Sequence, residues 1–262
     1  MTVAQQINRE RVAVLGWGRA ILLQLAHPLV AAGVAGHSSF SGGRLSRLKR
    51  LHATVGAMLD FTFGDERRVQ AVAARINAIH RRVHGCLPEA AGSYPAGTRY
   101  SATDPRLLQW VHATLLDSMP LAYERFVGPL GPDARDRYCA ESAVSGRLLG
   151  IPDEFLISAT AELEAYVSRM LGSDEIAVTT AARRVARELL YPPLADPTRP
   201  AAWAVRLATL GLLPASIRQA YGFPWRPRHD RALDLLARAI RRALPLTPSS
   251  IRCWPVRSRC SP

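Results

Sequence analysis

The chain is predicted to be all-α, a single multi-helix globular domain, on three observations. Apolar residues recur at helical spacing along most of its 262 residues. Strand-like alternation bounded by turn residues is nearly absent, and helix-start and helix-stop signals recur between the periodic stretches. About eight or nine helices are expected over residues 1–245, followed by an irregular tail over 246–262, where Pro and Ser replace periodicity.

The elements follow in order. The stretch Ile21–Val34 is apolar but broken by Gln24, His27 and Pro28. It is shorter than the ~20 apolar residues a bilayer span needs, so it is read as a buried core helix. Just before it, Gly16-x-Gly18 has two glycines of a dinucleotide-binding turn but lacks the third at Ile21, the preceding strand and the later acid. Helix packing through small residues is the better reading. A helix is expected from about Arg44 to Phe63, stopped by Gly64. Asp65 caps the next, which begins at Glu66. Asp104 before Pro105 starts a third, with Pro120 expected to kink or break it. Pro132-Asp133 and Pro152-Asp153 start two more, and Gly128 and Gly150 stand at helix ends. Gly85–Arg99 and Tyr191–Pro200 read as breaks.

Composition narrows the function. Apolar residues make up 48% and charged residues 21%, as in folded globular proteins. Lys+Arg number 34 against 21 Asp+Glu, a net +13 carried mostly by Arg. The basic residues are spread along the chain, without a zinc-finger or aromatic ribonucleoprotein motif, so no nucleic-acid partner is expected. The first fifty residues hold seven basic side chains and one acid, Glu10, which leaves a peripheral contact with anionic lipid open. Cys86, Cys139, Cys253 and Cys260 form no C-x-x-C pair and fit free thiols in a reducing, cytoplasmic setting. No nucleophile elbow or phosphate-binding loop occurs.

Histidines are the informative residues. His80 and His84 are four apart, so both are expected on one side of a helix. The stripe Val69, Val72, Ile76, Ile79 and Val83 takes in His80, with His84 near its edge. An inward His is either a satisfied core residue or a metal ligand, and pattern alone favours the first. The preceding helix has a main apolar stripe of Leu45, Leu48, His52, Val55 and Leu59. Its opposite face carries Arg50, Ala53, Thr54, Ala57 and Phe61, a face too uncharged for water alone. Arg50 on it could hold a carboxylate or other anion. His27 in AHPLV and His112 in WVHATLLDS sit in apolar helical contexts, as core or as pocket lining.

The stretches LLQLAHPLVAAGVAGHSSF, RLHATVGAMLDFTFGD, INAIHRRVHG, YSATDPRLLQWVHATLLDSMPLAYERFVGPL, DRYCAESAVSGRLLGIP and AYGFPW span most of the chain. On them the sequence resembles the MpaB/rubber-oxygenase (latex-clearing protein) catalytic-domain family, in its uncharacterised bacterial branch. The resemblance implies a globin-reminiscent helical bundle around haem b and its iron, with dioxygen or peroxide as co-reactant and a small lipophilic substrate. It matches the family's R-x-x-x-T motif to Arg50 and Thr54, and the proximal haem ligand to His80, with His84 as fallback. His27, His37 and His112 are secondary pocket candidates. Two departures stand out. The rubber-cleaving members carry a Lys before the motif Thr, where this chain has Ala53. They also carry an upstream catalytic Glu, whereas no Asp or Glu occurs here from Arg11 to Lys49. Rubber cleavage itself is therefore not expected, and monooxygenation, a peroxidase-like activity or another oxidation stays open.

Overall fold

The computed structural model describes residues 1–37, 44–191 and 199–255; the side chains of 44–52 and 199–201 lie outside that description. Its helices are α1 (Val3–Asn8), α2 (Leu15–Leu25), α3 (Pro28–His37), α4 (Arg44–Phe63) and α5 (Glu66–His80). A two-stranded antiparallel hairpin follows, β1 (His84–Cys86) with β2 (Arg99–Ser101). Then come α6 (Pro105–Phe126), α7 (Ala134–Leu148), α8 (Thr160–Leu171), α9 (Thr180–Leu190), α10 (Arg199–Leu212), α11 (Ala215–Ala220), α12 (Pro227–Ala243) and α13 (Ser249–Arg252). The all-α expectation holds for this single globular domain.

The centre is α6 lying along α2. Trp110, Leu116, Leu22 and Leu23 are buried there. The Trp110 indole N–H donates to the Leu23 carbonyl at 3.2 Å, and Tyr221 Oη donates to the Leu22 carbonyl at 2.7 Å. The small residues of α2 make the close approach possible. A Cβ on Gly16 would stand 2.8 Å from the Ser118 carbonyl, and one on Gly18 would stand 2.0 Å from Thr209 Oγ1 on α10. Gly16 and Gly18 are thus packing glycines. Gly18→Ala is expected to lower stability by about 1–3 kcal/mol through overpacking, read as a lower urea midpoint, with Thr209→Ala in the same chain recovering part of the loss.

Start signals hold at Asp65, whose carboxylate accepts from the Arg68 N–H, and at Asp104, which accepts from the Arg106 N–H. Asp133 precedes α7 directly. Pro152-Asp153 starts only a 3-10 turn, Asp153–Phe155, and the next α-helix waits until Thr160. α6 runs on through Pro120, which is buried against the core: packing along the whole helix outweighs one missing N–H. Thirteen α-helices occur among the described residues rather than eight or nine. The surplus lies in pieces such as α1, α11 and α13, too short to show a period. The stretch after 246 is not an irregular tail as far as residue 255. α13 forms there, Cys253 is buried and bridges to Glu10, and Arg252 pairs with the buried Glu10 carboxylate at 2.8 Å.

Candidate functional site

α5 owes its position to Val72 and Ala73, both buried, and to Asn77, whose Nδ2 donates to the Leu148 carbonyl at the end of α7 at 2.8 Å. His80 lies on the same i+4 line as Val72 and Ile76, at the last turn of the helix. Ile79, expected in the buried stripe, is instead 55% exposed, because the stripe runs through Val72, Ala73, Ile76 and His80. The helix stops at His80 with Arg81 as its cap, so His84 does not share a helical side with it. His84 opens β1, exposed and paired with Ser101.

The His80 ring is half-buried. Its Nδ1 is buried and has no hydrogen-bond partner among the described residues. Burial also lowers its pKa, which keeps the imidazole neutral at pH 7. A neutral imidazole with an unclaimed buried nitrogen is the donor chemistry a metal ion takes, and native proteins rarely leave such a nitrogen unpaired. Groups of three or more His, Cys, Asp or Glu with metal-site spacing are absent among the described residues.

α4 packs beside α5. Val55 is buried, Met58 and Leu59 pack on the core, and Ala53 and Thr54 are exposed. A Cβ on Gly56 would meet no described residue within 4 Å. Arg50 lies on this helix one turn before Thr54, and its side chain falls outside the described residues, as do those of Leu45, Leu48 and His52. The unclaimed buried Nδ1 of His80 is the feature of this structure that fits an iron-bearing group such as haem.

The hairpin closes the neighbourhood through Val83 and Tyr100. A Cβ on Gly33 of α3 would lie 3.3 Å from Val83 and 3.5 Å from Tyr100, and one on Gly85 would lie 2.7 Å from Tyr100 Oη. His37, exposed at the end of α3, meets Tyr100 edge-on at 6.5 Å, and its Nδ1 lies 3.2 Å from the Gly33 carbonyl.

His27 and His112 are core residues. The Leu29 N–H donates to His27 Nδ1 at 3.3 Å, which places the ring proton on Nε2. Nε2 then donates to Tyr94 Oη at 3.3 Å, and Tyr94 donates to Glu175 Oε2 at 3.1 Å. Both nitrogens of His27 are occupied by partners within the core. Burial pushes its pKa down to about 4 against the opposing pull of Glu175 and Asp104. His112 Nε2 donates to the Ser142 carbonyl at 3.2 Å, and burial lowers its pKa to about 4 as well. Tyr94 and Glu175 carry no local signal in sequence. They lie 67 and 81 residues apart from their partners, and only the fold brings them together.

Residues 4–242 match the family described as "ER-bound oxygenase mpaB/B'/Rubber oxygenase, catalytic domain". The chain belongs to this family. Its membership makes an oxygenase-type enzyme the function of this fold. Two curated relatives are uncharacterized proteins, one of Mycobacterium bovis and one of Mycobacterium tuberculosis. Each is 27% identical over 238 residues, covering 89% of this chain and 89% of the relative. No solved structure matches.

Proposed function

We propose that this member of the MpaB/rubber-oxygenase family is a haem b-dependent oxygenase in which His80 is the protein ligand of the iron. The observation that carries the proposal is the neutral, half-buried His80 with its unclaimed Nδ1, on a helix that packs beside α4. Bound there, haem would supply the activation of dioxygen or peroxide that the polypeptide's own side chains cannot perform. Arg50 offers a fixed positive charge for a propionate or another anion, and Thr54 a hydroxyl one turn away on α4. With Ala53 before it, this chain brings no lysine to that position. The acid-free run from Arg11 to Lys49 brings no general base from upstream; Glu10, the last acid before it, is buried and paired with Arg252. The substrate reading is a small lipophilic molecule, supported by the small and apolar residues Ala53, Ala57 and Phe61 that accompany Arg50 and Thr54 on α4.

A non-haem centre using both His80 and His84 has less support, because the two residues sit on different elements and His84 is exposed. No single helix among the described residues is long and apolar enough to cross a membrane. A peripheral contact remains part of the proposal through the basic N-terminal fifty residues.

The test is the absorption spectrum of the protein as expressed, or after addition of haemin. A Soret band is expected in the wild type and in His84→Ala, and is expected to disappear or shift in His80→Ala at unchanged helicity. Metal analysis that finds zinc or iron without porphyrin would overturn the reading. Haem binding without turnover of any oxidisable substrate would favour a non-catalytic haem binder.

A further inference from the structure

Away from α4 and α5, a second concavity of about 230 Å³ opens between α10, the end of α9 and the start of α12. Its walls are aromatic and its charges are all of one sign. Tyr191, Trp203 and Trp225 line it, together with Arg206, Arg226 and Arg228. Trp203 is 49% exposed and Tyr191 46%, large apolar surfaces facing water beside cations. Trp225 is fixed in place. Arg218 lies over its ring at 4.6 Å, its indole N–H donates to Asp230 at 2.8 Å, and the His229 ring leans on it at 5.1 Å. His229 is held in turn by the Arg226 N–H donating to its Nδ1 at 3.0 Å.

None of Arg206, Arg226 and Arg228 forms an ion pair among the described residues, and no carboxylate of the described residues lines the concavity. Arg206 rests on the Tyr191 ring at 4.7 Å, which leaves its outer donors unspent. Three guanidinium groups offer many N–H donors in planar forks, the geometry that phosphate oxygens satisfy best. Aromatic faces beside them suit stacking by a planar ring of any identity. The volume lies below the ~300–1,000 Å³ of sites for drug-sized ligands, so one ring system and its charged group fit and a porphyrin does not.

We infer that this concavity is a second ligand site, for an aromatic monophosphate of the size of a nucleoside monophosphate. The phosphate sits among Arg206, Arg226 and Arg228, and the ring stacks on Trp203. Nothing in this assignment depends on the haem proposal.

The probe is adenosine monophosphate, titrated into the protein as expressed and followed by quenching of tryptophan fluorescence and by calorimetry. Saturable binding is expected, with affinity falling as salt rises. Adenosine alone and inorganic phosphate alone are each expected to bind at least about tenfold more weakly, as are Arg206→Ala and Trp203→Ala. Arg228→Ala, at an exposed position on α12, gives a second cation test in a chain that keeps its fold. Absence of saturable binding by wild-type protein of native helicity overturns the proposal. So does equal affinity in all three variants. Tighter binding of single-stranded oligothymidylate than of the mononucleotide also overturns it, and reassigns the surface to nucleic acid.

Discussion

Arg19→Met is expected to cost about 3 kcal/mol of unfolding free energy, measured by urea unfolding followed at 222 nm. Arg19 is 5% exposed and has three partners on two helices. Its NH2 group meets Asp117 Oδ2 at 2.6 Å, its NH1 group donates to Ser118 Oγ at 2.8 Å, and its Nε donates to the Leu212 carbonyl at 2.7 Å. The side chain therefore ties α2 to α6 and to the end of α10. Methionine keeps much of the apolar stem but leaves the Asp117 carboxylate and the Leu212 carbonyl without their donor. The Asp117 side chain is 24% exposed, so water relieves part of its charge, which places the loss at the low end of the ~3–5 kcal/mol for breaking a buried pair. Asp117→Asn in the same chain is expected to recover part of the loss, since it removes the stranded charge. A single-variant loss below about 1 kcal/mol would show that Arg19 is a spectator.

Stability is expected to fall steeply on acidification from pH 6.5 toward pH 4, through His27 and His112. Both have folded-state pKa values lowered to about 4, chiefly by burial, against an ordinary value of 6.5. Above pH 6.5 both states are neutral and the full stability is present. As pH falls, the unfolded chain takes up protons that the folded chain refuses, so stability is lost until the pH reaches the folded pKa. Each histidine contributes about 1.4 kcal/mol per pH unit, or about 2 kcal/mol between pH 6.5 and pH 5. Urea midpoints measured across that interval check the slope. His112→Gln should reduce it by about half, and a slope unaffected by either His27 or His112 substitution would exclude this origin. Tyr94→Phe acts on the same chain of bonds, removing the acceptor of His27 Nε2–H and costing about 1–2 kcal/mol at pH 7.

Much of the fold was legible because its signals are local. Asp65 and Asp104 cap helices through bonds to residues two or three positions away, and Gly64 and Gly150 stop them. The packing role of Gly16 and Gly18 was legible by elimination, because the other requirements of a nucleotide turn were missing. Ile79 misled because helical phase identifies a face but not the residue at which that face leaves the core. His84 misled because spacing of four means a shared face only while the helix lasts, and it ends at His80. His27 and His112 read equally as core or pocket until their partners were placed. Those partners, Tyr94, Glu175 and the Ser142 carbonyl, come from distant segments. The aromatic and arginine concavity was not legible at all beyond the motif AYGFPW, since it joins Tyr191 and Trp203 to residues of a later helix.

The corner at His27 also has a bearing on biosynthesis. Taken together, residues Arg11–Leu25 and Pro28–His37 have the length and composition of a membrane span, yet they are bent by 106° at that corner. The bonds that hold the bend come from residues made much later: Tyr94, then Glu175. The surfaces that cover α2 come from α6, made between those two residues, and from α10, made after both. A ribosome therefore releases the most apolar segment of this protein long before any of its partners exist. Until about two hundred residues have emerged, that segment is a client for chaperones that shield apolar surface, and slow or paused translation prolongs its exposure.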